Sequence, residues 1–81
     1  MIDGKRNWTD GDIEVTLAHE MLVKESELTN GKPRGKWIIV ESGSEPAEAI
    51  EGYDSFVEAD KAFVSIVEEM GGSAERYKAG V

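Results

Sequence analysis

The chain has no cysteine, one histidine, two prolines and only two each of Trp, Tyr and Phe among its 81 residues. Without cysteine there is no disulfide, no thiolate zinc site and no cysteine nucleophile. A single histidine excludes a multi-histidine metal site within one chain. No apolar run approaches the ~18–20 residues that span a bilayer, and no signal peptide opens the sequence. A cytoplasmic protein without membrane contact is therefore expected. The glycines form neither a dinucleotide-binding nor a P-loop spacing.

Positive charge is scarce as well. Nine Lys and Arg face 17 Asp and Glu, for a formal net charge of −8. Residues 1–36 hold six bases and seven acids; residues 37–81 hold three bases and ten acids. Between Trp37 and Asp60 there is no base, but there are seven carboxylates: Glu41, Glu45, Glu48, Glu51, Asp54, Glu58 and Asp60. Any compact fold brings several of these together, at a cost in self-repulsion. Acids three or four residues apart stand about 5–6 Å apart along a helix, near the spacing of phosphates on a nucleic-acid strand. The run is thus a candidate partner-binding surface that attracts bases and repels nucleic acid. The plainer account is solubility. The basic cluster Lys32, Arg34 and Lys36 is short and sits around a turn, so direct nucleic-acid binding is not expected.

Hydrophobic residues make up 40 % of the chain, too many for a disordered acidic tail. A single domain over 1–81 fits the length, with a small core. Residues 1–11 read as an irregular lead-in, with Trp8 plugging one end of the core. Residues 12–28 carry two patterns. As a strand, Ile13, Val15, Leu17, His19, Met21 and Val23 share a face; as a helix, Ile13, Leu17, Met21 and Leu28 share a stripe. The strand reading is preferred. Asn30-Gly31 is a favoured hairpin dipeptide, and Lys36–Ser42 is rich in β-branched residues. Met21–Leu28 and Lys36–Ser42 are read as the arms of a hairpin turning at Asn30-Gly31. Gly43-Ser44-Glu45-Pro46 is a second turn, and Ala47–Tyr53 a third, edge strand.

Ser55 and Glu58 form a capping box at a helix start. Phe56, Ala59, Phe63, Val67 and Met70 follow at helical spacing, and Gly71-Gly72 ends the helix. Val57 and Val64 lie about 100° from the centre of this stripe, so the apolar face is wide and needs a second cover. Either the N-terminal segment or a second copy supplies it, which makes Val57 and Val64 the expected homodimer face. Residues 73–81 read as a short frayed helix or a tail, with Tyr77 packing back. The expected fold is α+β: a small antiparallel sheet of about three strands on one C-terminal amphipathic helix.

Catalytic and metal constellations are not evident. His19-Glu20 begins a zinc-protease helix motif, but Val23 stands where the second histidine belongs. Asp10, Asp12 and Glu14 alternate like part of a calcium loop, yet the twelve-residue spacing and closing Glu are missing. The serines lack His–Asp partners, and the paired acids fall on predicted exposed faces. No enzymatic activity, cofactor or metal is expected.

The turn Asn30-Gly31-Lys32, the strand Trp37–Glu41 and the helix opening at Tyr53-Asp54-Ser55-Phe56 together resemble small phage-encoded inhibitors of the anti-CRISPR type. The likeness covers about residues 21–70, in architecture and charge. It implies a non-enzymatic DNA mimic, in the host cytoplasm, that occupies the nucleic-acid-binding surface of a bacterial effector protein. The arrangement is also similar to antitoxin or immunity-type domains, which pair a small sheet with a helix beginning after Ser or Thr and neutralise a basic toxin. That second reading places the interface on the apolar face of the helix.

Overall fold

The computed structural model describes residues 4–43 and 47–72. Four strands form one antiparallel sheet in the order β1-β2-β3-β4: β1 Arg6–Asp10, β2 Ile13–His19, β3 Trp37–Ser42 and β4 Glu48–Tyr53. Helix α1, Phe56–Glu69, follows β4 and packs on one face. The α+β class, the C-terminal helix and the edge strand within Ala47–Tyr53 are as the sequence predicts. The sheet has four strands, not about three.

The additional strand comes from the segment read as an irregular lead-in. Asp10 pairs with Ile13 across a two-residue loop, Gly11-Asp12. Gly11 has φ 62°, and no non-glycine residue among those described has positive φ. That is the glycine position of a type II′ hairpin turn, whose twist suits flanking strands. Trp8 sits opposite Val15 and is 4 % exposed, so it enters the core as predicted.

The predicted hairpin arm Met21–Leu28 is not a strand. Strand β2 stops at His19, and residues 20–36 form a long connection containing two short 3-10 turns, Glu20–Leu22 and Glu25–Glu27. The helix alternative for 12–28 does not form either. The His19 side chain accepts a bond from the Met21 N–H at 3.2 Å and caps the first turn. The strands on either side of Asn30-Gly31 are antiparallel neighbours, but the dipeptide is not their hairpin apex. The connection instead lies across the second face of the sheet. Val23 and Leu28 bury there against Ala18, Ile38, Val40 and Ala49. Their burial explains why Thr16 and Ala18, on the β2 face opposite Val15 and Leu17, are both enclosed.

The first face holds Val15, Leu17 and Ile39 of the sheet with Ala59, Phe63 and Val67 of α1 and Trp8 of β1. Trp8 of the N-terminal segment thus covers part of the helix face, while Val57 is left exposed. The Ser55 hydroxyl accepts from the Glu58 N–H at 3.2 Å. At the other end Gly71, φ 89°, donates to the Glu68 carbonyl and Gly72 to the Val67 carbonyl. Those two bonds make a complete Schellman cap. The predicted contributions of Ser44, Glu45, Pro46 and Tyr77, and the tail at 73–81, lie outside the described residues.

Candidate functional site: an anionic end of the sheet

Register decides which acids meet. Glu41 and Glu48 are direct cross-strand partners between β3 and β4. The next pair on the same side is Ile39 with Glu51, because a bulge inserts Ile50 between Ala49 and Glu51. Ile39 packs under α1, so Glu41, Glu48 and Glu51 share the helix side of the sheet. Helix α1 runs from the end of β4 to Trp8 on β1, where Val67 and Gly72 pack on the indole. Its path leaves the start of β4 open, and Glu48 and Glu51 are exposed. Directly opposed Cβ atoms stand about 4.5–5.5 Å apart, so the Glu41 and Glu48 charges repel.

The remaining predicted site residues are dispersed. Asp54 lies in the turn before α1 and Glu58 in its first turn, both exposed at the far end of β4. Glu58 opposes the positive end of the helix dipole, which favours it there. Asp60 is engaged: its Oδ1 accepts from Arg6 Nε at 3.1 Å, and the Arg6 guanidinium lies 5.3 Å from the Phe56 ring centre. Glu45 lies outside the described residues. Of the six that are described, only Glu58 and Asp60 are on the helix, so helical spacing does not set the separation of the other four. On the predicted dimer face, Val57 is 63 % exposed, whereas Val64 is half-buried and packs against the core.

Five acids outside the predicted run join the anionic end. The β1–β2 turn carries Asp10 and Asp12, and Glu14 follows it. Glu14 lies opposite Ser42 and accepts a bond from its hydroxyl at 3.4 Å. The last turn of α1 brings Glu68 and Glu69 to this end and contains no base. Acids there face the negative pole of the helix, an unfavourable placement. Among the described residues, Lys5, Arg6 and Lys36 stand at the other end of the sheet, where β1 and β3 begin. Lys32 is also held there, donating to the Glu20 carbonyl at 2.6 Å. Asp54, Glu58 and Asp60 stand at that end too, so charges of both signs mix there, whereas the side chains named at the start of β4 and in the β1–β2 turn are all acidic.

At the mixed-charge end His19, Trp37 and Phe56 stack edge to face, with ring centres 5.1 and 4.9 Å apart. An open hollow of about 230 Å³ lies beside them, lined by Gly4, Lys5, His19, Leu22 and Trp37. The Tyr53 hydroxyl donates to Glu51 Oε2 at 3.4 Å. Burial, the Glu51 charge and this bond raise the Tyr53 phenol above its usual pKa. Among the described residues no group of three His, Cys, Asp or Glu side chains is arranged to hold a metal, and no helix is long and apolar enough to cross a membrane. Comparison with protein-family models, curated proteins and solved structures finds no match to this chain.

Proposed function

We propose that the chain is a non-enzymatic acidic binding protein whose anionic sheet end seats on a basic, nucleic-acid-binding surface of a protein partner, as inhibitors of the phage counter-defence type do. The observation that carries this reading is the pairing of Glu41 directly across from Glu48 with no base beside them in the ladder. A like-charge pair at that position costs stability. Glu68 and Glu69 at the negative pole of α1 add to the cost. Solubility alone does not require acids at unfavourable positions, whereas recognition of a cationic groove does. A dense negative field also speeds capture of a basic partner and makes the complex sensitive to salt.

The test is affinity capture from a bacterial lysate at low salt, with the wild-type chain beside a Glu41→Gln, Glu48→Gln, Glu51→Gln triple variant. A basic nucleic-acid-binding protein is expected on the wild type, released by raised salt or by added nucleic acid, and missing from the folded triple variant. A partner that the triple variant retains and Val57→Glu loses would move the interface to the helix and overturn the proposal.

A further inference from the structure

The two edges of the sheet are treated differently. On β4 the chain closes its own edge: Asn30 bonds both the N–H and the C=O of Ala49, and the Thr29 N–H donates to the Ala47 carbonyl at 3.0 Å. Among the described residues nothing bonds to the outer edge of β1. An uncovered edge presents unpaired N–H and C=O groups and is a template for another strand. In a two-residue hairpin the closing pair, here Asp10 and Ile13, exchanges backbone bonds. By alternation Arg6, Trp8 and Asp10 bond inward to β2, and Asn7 and Thr9 direct their backbone groups outward.

Short, charged edge strands are normally protected against pairing. The sequence of β1, Arg-Asn-Trp-Thr-Asp, is different because it is complementary to itself. Only one antiparallel register with a second copy pairs all five residues, and it is centred on Trp8. That register sets Arg6 opposite Asp10 of the other copy, and does so twice because of the two-fold axis. It also joins the outward groups of Asn7 to those of Thr9. Registers shifted by two residues run a partner into the Gly11-Asp12 turn or off the start of the strand. We propose that a second copy of this chain adds to the β1 edge about a two-fold axis at Trp8, making one eight-stranded sheet. The dimer engages Asp10 of the anionic end, while Glu41, Glu48 and Glu51 on β3 and β4 stay open on each copy. The helix face at Val57 takes no part.

Sedimentation of the full chain tests this. A five-residue edge pair is a small interface, so dissociation constants on the order of 10 μM to 1 mM are expected. Asp10→Lys opposes two like-charge pairs and weakens the dimer about tenfold or more. Thr9→Pro removes an outward N–H and abolishes the dimer, with circular dichroism confirming the fold. Mixing Asp10→Lys with Arg6→Glu restores association as a heterodimer, because each mixed contact again joins opposite charges. Should Arg6→Glu not fold, the first two variants still decide the matter. A wild-type chain that is monomeric at about 1 mM, or a dimer that survives Thr9→Pro and dissociates with Val57→Glu, overturns the proposal.

Discussion

Asn30 grips Ala49 through a peptide-like pair of hydrogen bonds: its amide nitrogen donates to the Ala49 carbonyl at 2.7 Å, and its oxygen accepts from the Ala49 N–H at 2.9 Å. One side chain thus does the work of an adjacent strand. It closes the β4 edge and pins the 20–36 connection, with Val23 and Leu28, onto the second sheet face.

Asn30→Ala is expected to destabilise the fold by about 1–3 kcal/mol, because it leaves a half-buried donor and acceptor on Ala49 unpaired. Urea denaturation measures the loss. Faster amide exchange at Ala49, with Ile39 unchanged, locates it at the edge. Asn30→Asp keeps the acceptor but sets a carboxylate against the Ala49 carbonyl, so it also destabilises.

The dipeptides Asp10-Gly11 and Asn30-Gly31 show how far the sequence could be read. Both carry hairpin chemistry. Asp10-Gly11 is followed by the alternation Ile13, Val15, Leu17, a hairpin signal that reading residues 1–11 as an irregular lead-in passes over. Asn30-Gly31 is followed by Pro33 and Gly35, which break strand alternation, and Asn30 is used for its side chain. Helix α1 was legible because the chemistry of Ser55, Glu58 and Gly71 is local. The anionic end was legible only in part. Glu41, Glu48 and Glu51 stand together through register and a bulge, while Asp10, Asp12 and Glu14 arrive from a distant hairpin that no count along the chain brings near.

The fold places Gly52 where it has no room for a side chain. It pairs with Ile38 on the second face, and a β-carbon there would collide with the Arg34 carbonyl. Gly52→Ala is expected to cost about 1–3 kcal/mol, since backbone on both sides must move. Gly71→Ala is the contrast. A β-carbon there meets open space, so its cost comes from the left-handed backbone at φ 89° alone. Thermal melts of the two variants separate a steric cause from a conformational one.

Tyr53 predicts the behaviour of the fold in alkali. Burial is the largest reason its phenol is raised, followed by the Glu51 charge and hydrogen bond. The folded state therefore holds this proton more tightly than the unfolded chain does. Stability associated with Tyr53 is fully present below the unfolded value near 10 and is lost as pH rises through the higher folded value. Ultraviolet titration of phenolate, in a Tyr77→Phe background, reads Tyr53 alone. Glu51→Gln is expected to lower its pKa without restoring the ordinary value, because burial remains.

The proposed recognition role and the stability of the free chain pull against each other at Glu48. Replacing it with Lys turns the repulsive pair with Glu41 into an attractive one across the same strands. Exposed cross-strand charge pairs contribute roughly 0.2–1 kcal/mol, so Glu48→Lys is expected to stabilise the free protein by about that amount. The gain should shrink in high salt, where charges at the open start of β4 are screened. The same substitution removes an anion from the proposed contact surface, so retention of a basic partner should fall as the melting temperature rises. That inverse relation is characteristic of residues kept for function. Urea melts at low and high salt measure the first half, and capture of the partner measures the second. A stabilised variant with undiminished partner retention would show that Glu48 serves solubility and would remove the central support for the binding surface.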